Sequence, residues 1–450
     1  MKKLLSLILA FAACLSASAA AYIIDGIGYN STNSGKALAV AYDEGYHKMD
    51  TVVVPEKAMV NGEYYPVVKV DAQAFKRCDE IRCIVLPGSV TEISWDAFMG
   101  CSGLTCFPLD GITTIGNNAF EGCNGLTEIT IPPSVKSMGN NVFKDCKSLD
   151  KLTYQTAKIS SLPETWLSGV NLKELVIADG LEFLPENLVS GQNQLKTVEI
   201  PNSVESIRAA FNGCSGLEYI EIPPSVTYIM SAFKNCPSLK TVVMHEPLTQ
   251  ISRYAFSGCV SLTDIKLPGT LKNIDICAFI GCSNLTSIKL PHGIQEIMAD
   301  AFSGSGLKSI TLPSSVTLIE GCSLGRCASL STVYCKHRVP LKMDTDGEAN
   351  AFYDSWSGQI VYPGTLYVPH GCREAYLTAD VWNDFGNIVE MPLGDINWDN
   401  QVDVLDLNMA TNAILGAEAL DDPEDADLNG DGKVDISDVN ILIKTILGLR

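Results

Sequence analysis

The stretch NAFEGCNGLTEITIP, residues 118–132, carries the pattern on which the fold depends. Closely similar stretches recur along the chain, each with a large apolar residue at the place of Phe120. These anchor residues are Phe75, Phe98, Phe120, Phe143, Leu167, Leu188, Phe211, Phe233, Phe256, Phe279, Phe302 and Leu324. Their average spacing is about 22.6 residues. A fixed period of this length indicates a solenoid, in which each repeat buries its apolar side against its neighbours.

Each repeat is predicted to contribute one short strand. Ile129 and Ile131 alternate with polar residues, as is typical of a strand with one buried face. Pro132 ends the strand, because proline has no N–H to donate to a neighbouring strand. Twelve such strands, stacked about 4.8 Å apart, would form a parallel sheet roughly 55 Å long.

The repeat unit L-x-x-I-x-I-P-x-S-V-x-x-I-x-x-x-A-F-x-x-C resembles the BspA-like leucine-rich repeat family of bacterial surface proteins. The resemblance covers roughly residues 50–390 and implies a β-rich leucine-rich repeat solenoid of about 12 repeats of 22–23 residues. It also implies adhesion to host or bacterial proteins. We predict an N-terminal cap over residues 20–65, repeats over 66–340 and a C-terminal cap over 341–391.

The outward positions of the predicted strands form a candidate ligand strip. Carboxylates dominate its first half, lysines occur in the second, and two tyrosines are the side chains best suited to anchor a ligand. The strip comprises Glu128, Glu174, Glu199, Tyr219, Glu221, Asp264, Lys266, Lys289 and Tyr334. The alternative is an ordinary solvated sheet face, and the residues do not distinguish a protein ligand from a glycan.

Most of the sixteen cysteines are predicted to be structural. Nine of them follow an anchor by three residues, which predicts a buried ladder of small apolar side chains. These are Cys78, Cys101, Cys123, Cys146, Cys214, Cys236, Cys259, Cys282 and Cys327. The sequence contains no C-x-x-C motif, so a zinc site is not supported. Cys83 and Cys106 differ, since they occupy equivalent outward positions on adjacent strands, and we predict a disulfide between them in an oxidising compartment.

Two acidic segments near the C-terminus, residues 395–406 and 427–438, align at an offset of 32 residues. Their oxygen-bearing side chains fall at positions 1, 3, 5, 9 and 12, with a backbone carbonyl at position 7, and this spacing suits calcium. The predicted ligands of two calcium ions are Asp395, Asn397, Asp399, Gln401, Asp403, Asp406, Asp427, Asn429, Asp431, Lys433, Asp435 and Asp438. Because crowded carboxylates repel without metal, folding of this region is expected to depend on calcium.

Each loop is predicted to run into a helix, over residues 407–415 and 439–447. The duplicated loop–helix pattern resembles a type I dockerin domain over residues 394–450, a small α-helical module. The resemblance implies docking to a cohesin module on a scaffold or cell surface. The resemblance also implies that positions 10 and 11 of each loop read the partner; these are Val404, Leu405, Ile436 and Ser437. The alternative is a calcium-stabilised end of the solenoid that binds no cohesin.

The sequence pattern at the N-terminus predicts that the protein is exported. Lys2 and Lys3 precede an apolar run from Leu4 to Ala13 and then small residues, which indicates a signal peptide over residues 1–19. Lipidation at Cys14 is not favoured, because Phe11 is a poor leading residue for a lipoprotein box. The run is too short to span a bilayer, and no later run reaches 18 apolar residues, so no transmembrane anchor is expected.

Composition and motifs together favour a secreted or surface-associated binding protein. The net charge of −20 argues against nucleic acid as a partner, since phosphate binding needs clustered lysine or arginine. The sequence contains no nucleophile elbow, zinc-protease motif or nucleotide-binding loop, and we predict that the protein is not an enzyme. Two alternatives stay open: a free-standing adhesin whose calcium module only stabilises its end, and a carbohydrate-active accessory enzyme.

Overall fold

The computed structural model describes residues 20–35, 37–343, 350–354, 357–360, 364–418, 420 and 422–449. The predicted signal peptide, with Cys14, lies outside these residues. The chain divides into two compact units, Met1–Leu217 and Glu218–Arg450. Both are built from the predicted repeat, and the fold is a leucine-rich repeat solenoid of about 13 turns followed by a small helical module.

The first unit combines antiparallel hairpins at its N-terminal end with parallel ladders in the repeats. Glu128, Lys151 and Glu174 are in register on three parallel strands. The strands of the largest sheet are Tyr22–Ile24, Ile27–Ser31, Leu38–Val40, Lys57–Val60, Glu63–Val70, Glu92–Ile93, Thr114–Ile115 and Ser137–Met138. The others are Thr51–Val53 with Cys83–Val85, then Glu128–Ile131, Lys151–Tyr154 and Glu174–Ile177, and finally Phe183–Leu184 with Ser206–Ile207. A 3-10 helix spans Glu44–Lys48.

In the second unit, the described residues form three parallel ladders, one small hairpin and the helical module. Its ladders are Tyr219–Glu221, Thr241–Val243 and Asp264–Lys266; Gln250–Ile251, Asn273–Ile274, Glu296–Ile297 and Leu318–Ile319; and Ser309–Leu312, Thr332–Cys335, Thr365–Val368 and Ile388–Glu390. The hairpin pairs Tyr353–Asp354 with Gln359–Ile360. The α-helices are Arg373–Leu377, Val404–Ile414 and Ile436–Ile446, and the 3-10 helices are Trp382–Asp384 and Pro423–Asp425.

The expectation of one unbroken sheet of twelve strands is wrong. Residues 197–199 and 287–289, predicted as strands, form none, so the longer strands make separate ladders. Their alternate side chains are nevertheless buried, as Val198 and Ile288 show. The hydrophobic alternation fixes which side chains enter the core, whereas the ladder also requires a close approach of neighbouring backbones.

The core confirms the anchor residues. Phe75, Phe98 and Phe120 are fully buried and stack with ring centroids 5.2 and 5.1 Å apart. In the second unit, the rings from Phe233 to Phe302 stack at 5.4–5.7 Å. Where the repeats carry Leu167 and Leu188 instead, Trp166 fills the space edge-on to Phe143, at 6.2 Å. Stacking of this kind adds to the free energy gained by burial.

The nine ladder cysteines are all buried, as predicted. They also have a role that the sequence did not reveal. In seven of them, the thiol donates to a main-chain carbonyl one repeat earlier. The acceptor is the anchor phenylalanine in six cases, such as Cys123 to Phe98 and Cys259 to Phe233, both at 3.1 Å, and Val189 in the case of Cys214. Cysteine is small enough for the core, and its thiol finds a buried acceptor in a carbonyl that also accepts a backbone N–H, as the carbonyl of Phe98 does from Cys101. Burial raises the pKa of the Cys123 thiol well above its usual value.

Candidate calcium loops and ligand strip

The first predicted calcium loop is organised around Asp406, which is fully buried. One of its carboxylate oxygens accepts from the backbone N–H groups of Ile396 and Asn397, at 2.8 and 3.1 Å. The other accepts from Asp403, at 2.9 Å. Asp403 in turn accepts from the N–H of Leu405, so the pair forms a capping box at the start of the helix.

The second loop repeats this arrangement. Asp438 accepts from Leu428 and Asn429 at 2.8 and 3.1 Å, and from Asp435 at 2.9 Å. Because the caps act at positions 9 and 12, the helices begin at Val404 and Ile436, three residues before the predicted starts. In both loops, the two aspartates of the capping box are also predicted calcium ligands, at positions 9 and 12. The same residues therefore belong to the loop and start the helix.

The donor set of both loops fits calcium. Every predicted side-chain ligand offers a carboxylate or amide oxygen, and Lys433 offers its backbone carbonyl, so no soft sulfur or imidazole ligand is involved. The tight turns are also present: Asn400 and Gly432 have φ of +67° and +83°. Among the described residues, no three His, Cys, Asp or Glu side chains converge as a metal cage, so the fit rests on the donors and the turn.

The carboxylates of the first loop are electrostatically crowded. Burial raises the pKa of Asp395 to about 6, and the nearby Asp406 and Asp399 add to this effect, while the N–H of Asn400 opposes it. A cation among these oxygens would favour their charged forms.

The residues predicted to read the partner lie in the first turn of each helix and are exposed. Val404 and Leu405 are each 58% exposed, and Ile436 is 65% exposed, beside the exposed Ser437. The opposite sides of the helices close a small core of Ile396, Ala410, Ala426, Val439 and Leu442. Sequence reasoning did not identify Leu415 and Leu447, at the helix ends, as exposed apolar residues. The duplicated Ile-Leu-Gly was the signal that could have identified them.

The ligand strip differs along its length. Glu128, Glu174, Glu199, Tyr219, Glu221, Asp264, Lys266 and Lys289 are exposed, whereas Tyr334 is half-buried. Tyr219 donates to Glu221 at 3.2 Å, and the same carboxylate lies 2.9 Å from Nε2 of His245, a residue that sequence reasoning did not assign. These two contacts hold the pKa of Glu221 below its usual value. Together they make a small polar cluster on the open face.

The module packs against the covered end of the strip. Trp398, in the first calcium loop, lies edge-on to Tyr334 with ring centroids 6.3 Å apart. Lys336 pairs with Asp425, and both side chains are almost buried. Asp422 accepts from the hydroxyl of Ser314 at 2.8 Å. These contacts join residues roughly 60 to 110 positions apart in the chain.

Cys83 and Cys106 lie side by side as parallel-bridge partners, as the sequence predicted, and both are free thiols here. Cys83 is half-buried, Cys106 is exposed, and burial raises the pKa of Cys83. Their oxidation to a disulfide stays a prediction.

Comparison with known families assigns both parts of the chain. The BspA type leucine rich repeat region matches in overlapping segments over residues 65–166, 155–262, 208–331 and 249–367. The chain belongs to this family. The dockerin type I domain matches residues 393–447. Both families are non-catalytic binding modules, and dockerin type I domains generally bind calcium. Proteins with these modules are typically extracellular or surface-associated.

Solved structures of other bacterial leucine-rich repeat proteins are similar to this BspA-type chain. One, from Bacteroides ovatus, is 26% identical and aligns over 70% of this chain and 94% of its own, with a TM-score of 0.48. The pneumococcal vaccine antigen PcpA is 18% identical over 83% of this chain and 100% of its own, with a TM-score of 0.43. A search of curated proteins finds no match. Among the described residues, none of the helices has the length and hydrophobicity needed to cross a bilayer.

Proposed function

We propose that this BspA-type protein is secreted, that its repeats present a protein- or glycan-binding surface, and that its dockerin module docks it to a cohesin-bearing scaffold or cell surface. The observation that carries the proposal is the duplicated loop–helix unit. Its two loops have matching hydrogen bonds, and each helix begins with an exposed apolar residue, Val404 or Ile436. Apolar side chains exposed at equivalent places in two copies are typical of a binding surface.

Calcium would be held by the side chains predicted for each loop, one ion per loop, with the position-7 carbonyls of Gln401 and Lys433. Its charge would offset the repulsion among the carboxylates and so fix the first helical turns, which carry the partner-reading residues. Export through the segment 1–19, the boundaries of the two caps, and the absence of enzymatic activity belong to this proposal.

The open part of the ligand strip is the proposed recognition surface of the repeats. Tyr219 and His245 supply an aromatic ring and an imidazole, each within hydrogen-bond distance of the carboxylate of Glu221. Such a cluster suits a ligand that both donates and accepts hydrogen bonds, as peptides and glycans do.

Calorimetric titration of the mature full-length chain with a type I cohesin module tests the docking function. We expect binding in calcium, none in EGTA, and a loss of at least about tenfold in affinity for the double variant Val404→Asp/Ile436→Asp, because a charge would enter an apolar contact. Tyr219→Ala, on the repeats, is the matched control and should bind as the unaltered chain does. Binding that survives both EGTA and the double variant would contradict the proposal.

A second function is favoured by one specific observation, the packing of the module on the last repeats. In this case the module stabilises the C-terminal end of a free-standing adhesin. No heat from any cohesin tested, together with a calcium-dependent rise in the unfolding temperature, would favour this alternative.

A further inference from the structure

The two calcium loops differ at position 4 in a way that calcium binding does not explain. The backbone is left-handed there in both, with φ of +61° at Trp398 and +75° at Gly430. Glycine adopts this conformation without steric cost, whereas a side chain as large as tryptophan is strained in it. Because the second loop makes the same turn with glycine, Trp398 is unnecessary for the turn. A strained residue persists where other contacts stabilise it.

Trp398 contacts the repeats. Its ring is edge-on to Tyr334, which is itself stacked on Tyr367 at 4.9 Å. The Nζ of Lys336 lies 5.1 Å from the centroid of the Trp398 ring, within the range of a cation–π interaction. The strained position therefore places an aromatic ring on the end of the ligand strip.

A second set of contacts comes from the turn before the second loop. Asp422 is 3% exposed, accepts from Ser314 and lies 3.8 Å from Nδ1 of His292. Asp425 pairs with Lys336, whose side chain is only 12% exposed. A buried ion pair is stable only while both partners are in place, so this contact favours one orientation of the module.

The repeats and the first calcium loop together line a cleft of about 420 Å³. Lys289, Thr311 and Lys336 contribute from the repeats, and Asn397 and Trp398 contribute from the loop. Asn397 is also a predicted calcium ligand, at position 3. The wall of the cleft and the calcium-binding loop are thus formed by the same residues.

We propose that the strand face of the last repeats is the docking surface for the chain's own first calcium loop, with Trp398 as its anchor. Calcium binding in that loop and closure over Tyr334 and Lys336 then stabilise each other. The inference rests on the proposed calcium binding of the loops but is independent of cohesin. Because coupling between two events is reciprocal, a change on the repeats must alter calcium affinity in the first loop.

Hydrogen-exchange mass spectrometry on the mature full-length chain tests closure. The peptides to follow contain Thr311–Ser314 and Tyr334–Lys336, in calcium and in EGTA. We expect protection in calcium, which is lost in EGTA and also lost in calcium for Trp398→Gly. This variant reproduces the second loop and keeps every ligand. Trp398→Phe retains a ring and should recover part of the protection.

Calcium titration of a variant on the repeats tests the coupling. Lys336→Met/Asp425→Asn removes the ion pair without leaving a buried charge and alters no predicted calcium ligand. We expect the affinity of the first loop to fall about fivefold or more, with the second loop unchanged. Lys240→Met, which removes an exposed pair with Glu218, is the matched control and should change neither loop.

Two outcomes would overturn the inference: protection that is indifferent to Trp398→Gly and EGTA, or calcium affinity in the first loop that is unchanged by the ion-pair variant. A chain that binds no calcium at all would instead refute the proposed calcium function. Failure of cohesin binding with coupling intact would leave the intramolecular docking established.

Discussion

Two stretches of strand face in the second unit have the same repeat pattern but different surroundings. Around Tyr219 the face is open, and Tyr219 and His245 both contact the carboxylate of Glu221. Around Tyr334 the face is half-buried under the first calcium loop. The repeat period determines the core in both stretches, whereas the function of each face depends on what lies over it. Ligand binding by the repeats is therefore expected at the open stretch.

The largest expected effect comes from the core, where the two stretches are alike. Phe256 stacks between Phe233 and Phe279, at 5.7 and 5.5 Å, and is fully buried. Phe256→Ala should lower the free energy of unfolding by about 3–5 kcal/mol, because it removes apolar contacts and leaves a cavity. Urea unfolding followed by circular dichroism measures the loss. A change below about 1 kcal/mol would mean that the rings do not carry the stability of the repeats.

The covered face should respond more strongly than the open face to the loss of a lysine. Lys336→Met leaves Asp425 buried without its partner and should lower the free energy of unfolding by about 3 kcal/mol or more. Lys240→Met breaks only an exposed pair, which contributes little. Urea unfolding of the two variants in calcium provides the comparison. Equal effects would indicate that the module does not cover Lys336 in solution.

The sequence alone predicts those features of the molecule that depend on the repeat period or on one short segment. The anchors, the cysteine ladder and the outward positions follow from a repeat of fixed length, and the ligand spacing of Asp395 to Asp406 is contained in one segment. Residues 197–199 do not form the predicted strand, because strand pairing depends on the distance between the backbones of neighbouring repeats. The pattern of side chains does not encode this distance. The start of the helix at Val404 depends on a capping box whose aspartates were already assigned as ligands.

The contact between the module and the last repeats could not be predicted from the sequence for a different reason. It pairs Trp398 and Asp425 with Tyr334 and Lys336, and no period relates these residues. The one local signal was the tryptophan at a position where the aligned loop has glycine, since a bulky residue at a left-handed turn implies a stabilising contact elsewhere.

A single substitution can separate ligand binding by the open stretch around Tyr219 from docking through the calcium loops. Glu221 lies between Tyr219 and His245, so Glu221→Gln should weaken any ligand held by the charged cluster while leaving calcium affinity unchanged. A loss of roughly 1.5–3 kcal/mol in binding is expected if the ligand hydrogen-bonds to the carboxylate. Glycan-array and peptide-array binding of the full-length chain measures it, with Glu128→Gln in the first unit as the control. Equal losses in both variants would place recognition along the whole strip.

The smallest effect concerns the thiols, where an exposed pair and a buried ladder can be compared directly. Cys106 is exposed and should be alkylated rapidly at pH 8, and Cys83 more slowly, because its pKa is raised. The ladder cysteines should react only after unfolding, since burial raises the pKa of thiols such as Cys123 and encloses them in the core.

Peptide mapping after iodoacetamide treatment measures each site, before and after mild oxidation. Oxidation should protect Cys83 and Cys106 together without changing the ladder cysteines, since Cys83 and Cys106 are partners in a parallel bridge and the ladder cysteines are buried. Independent modification of the two thiols after oxidation would exclude the predicted disulfide.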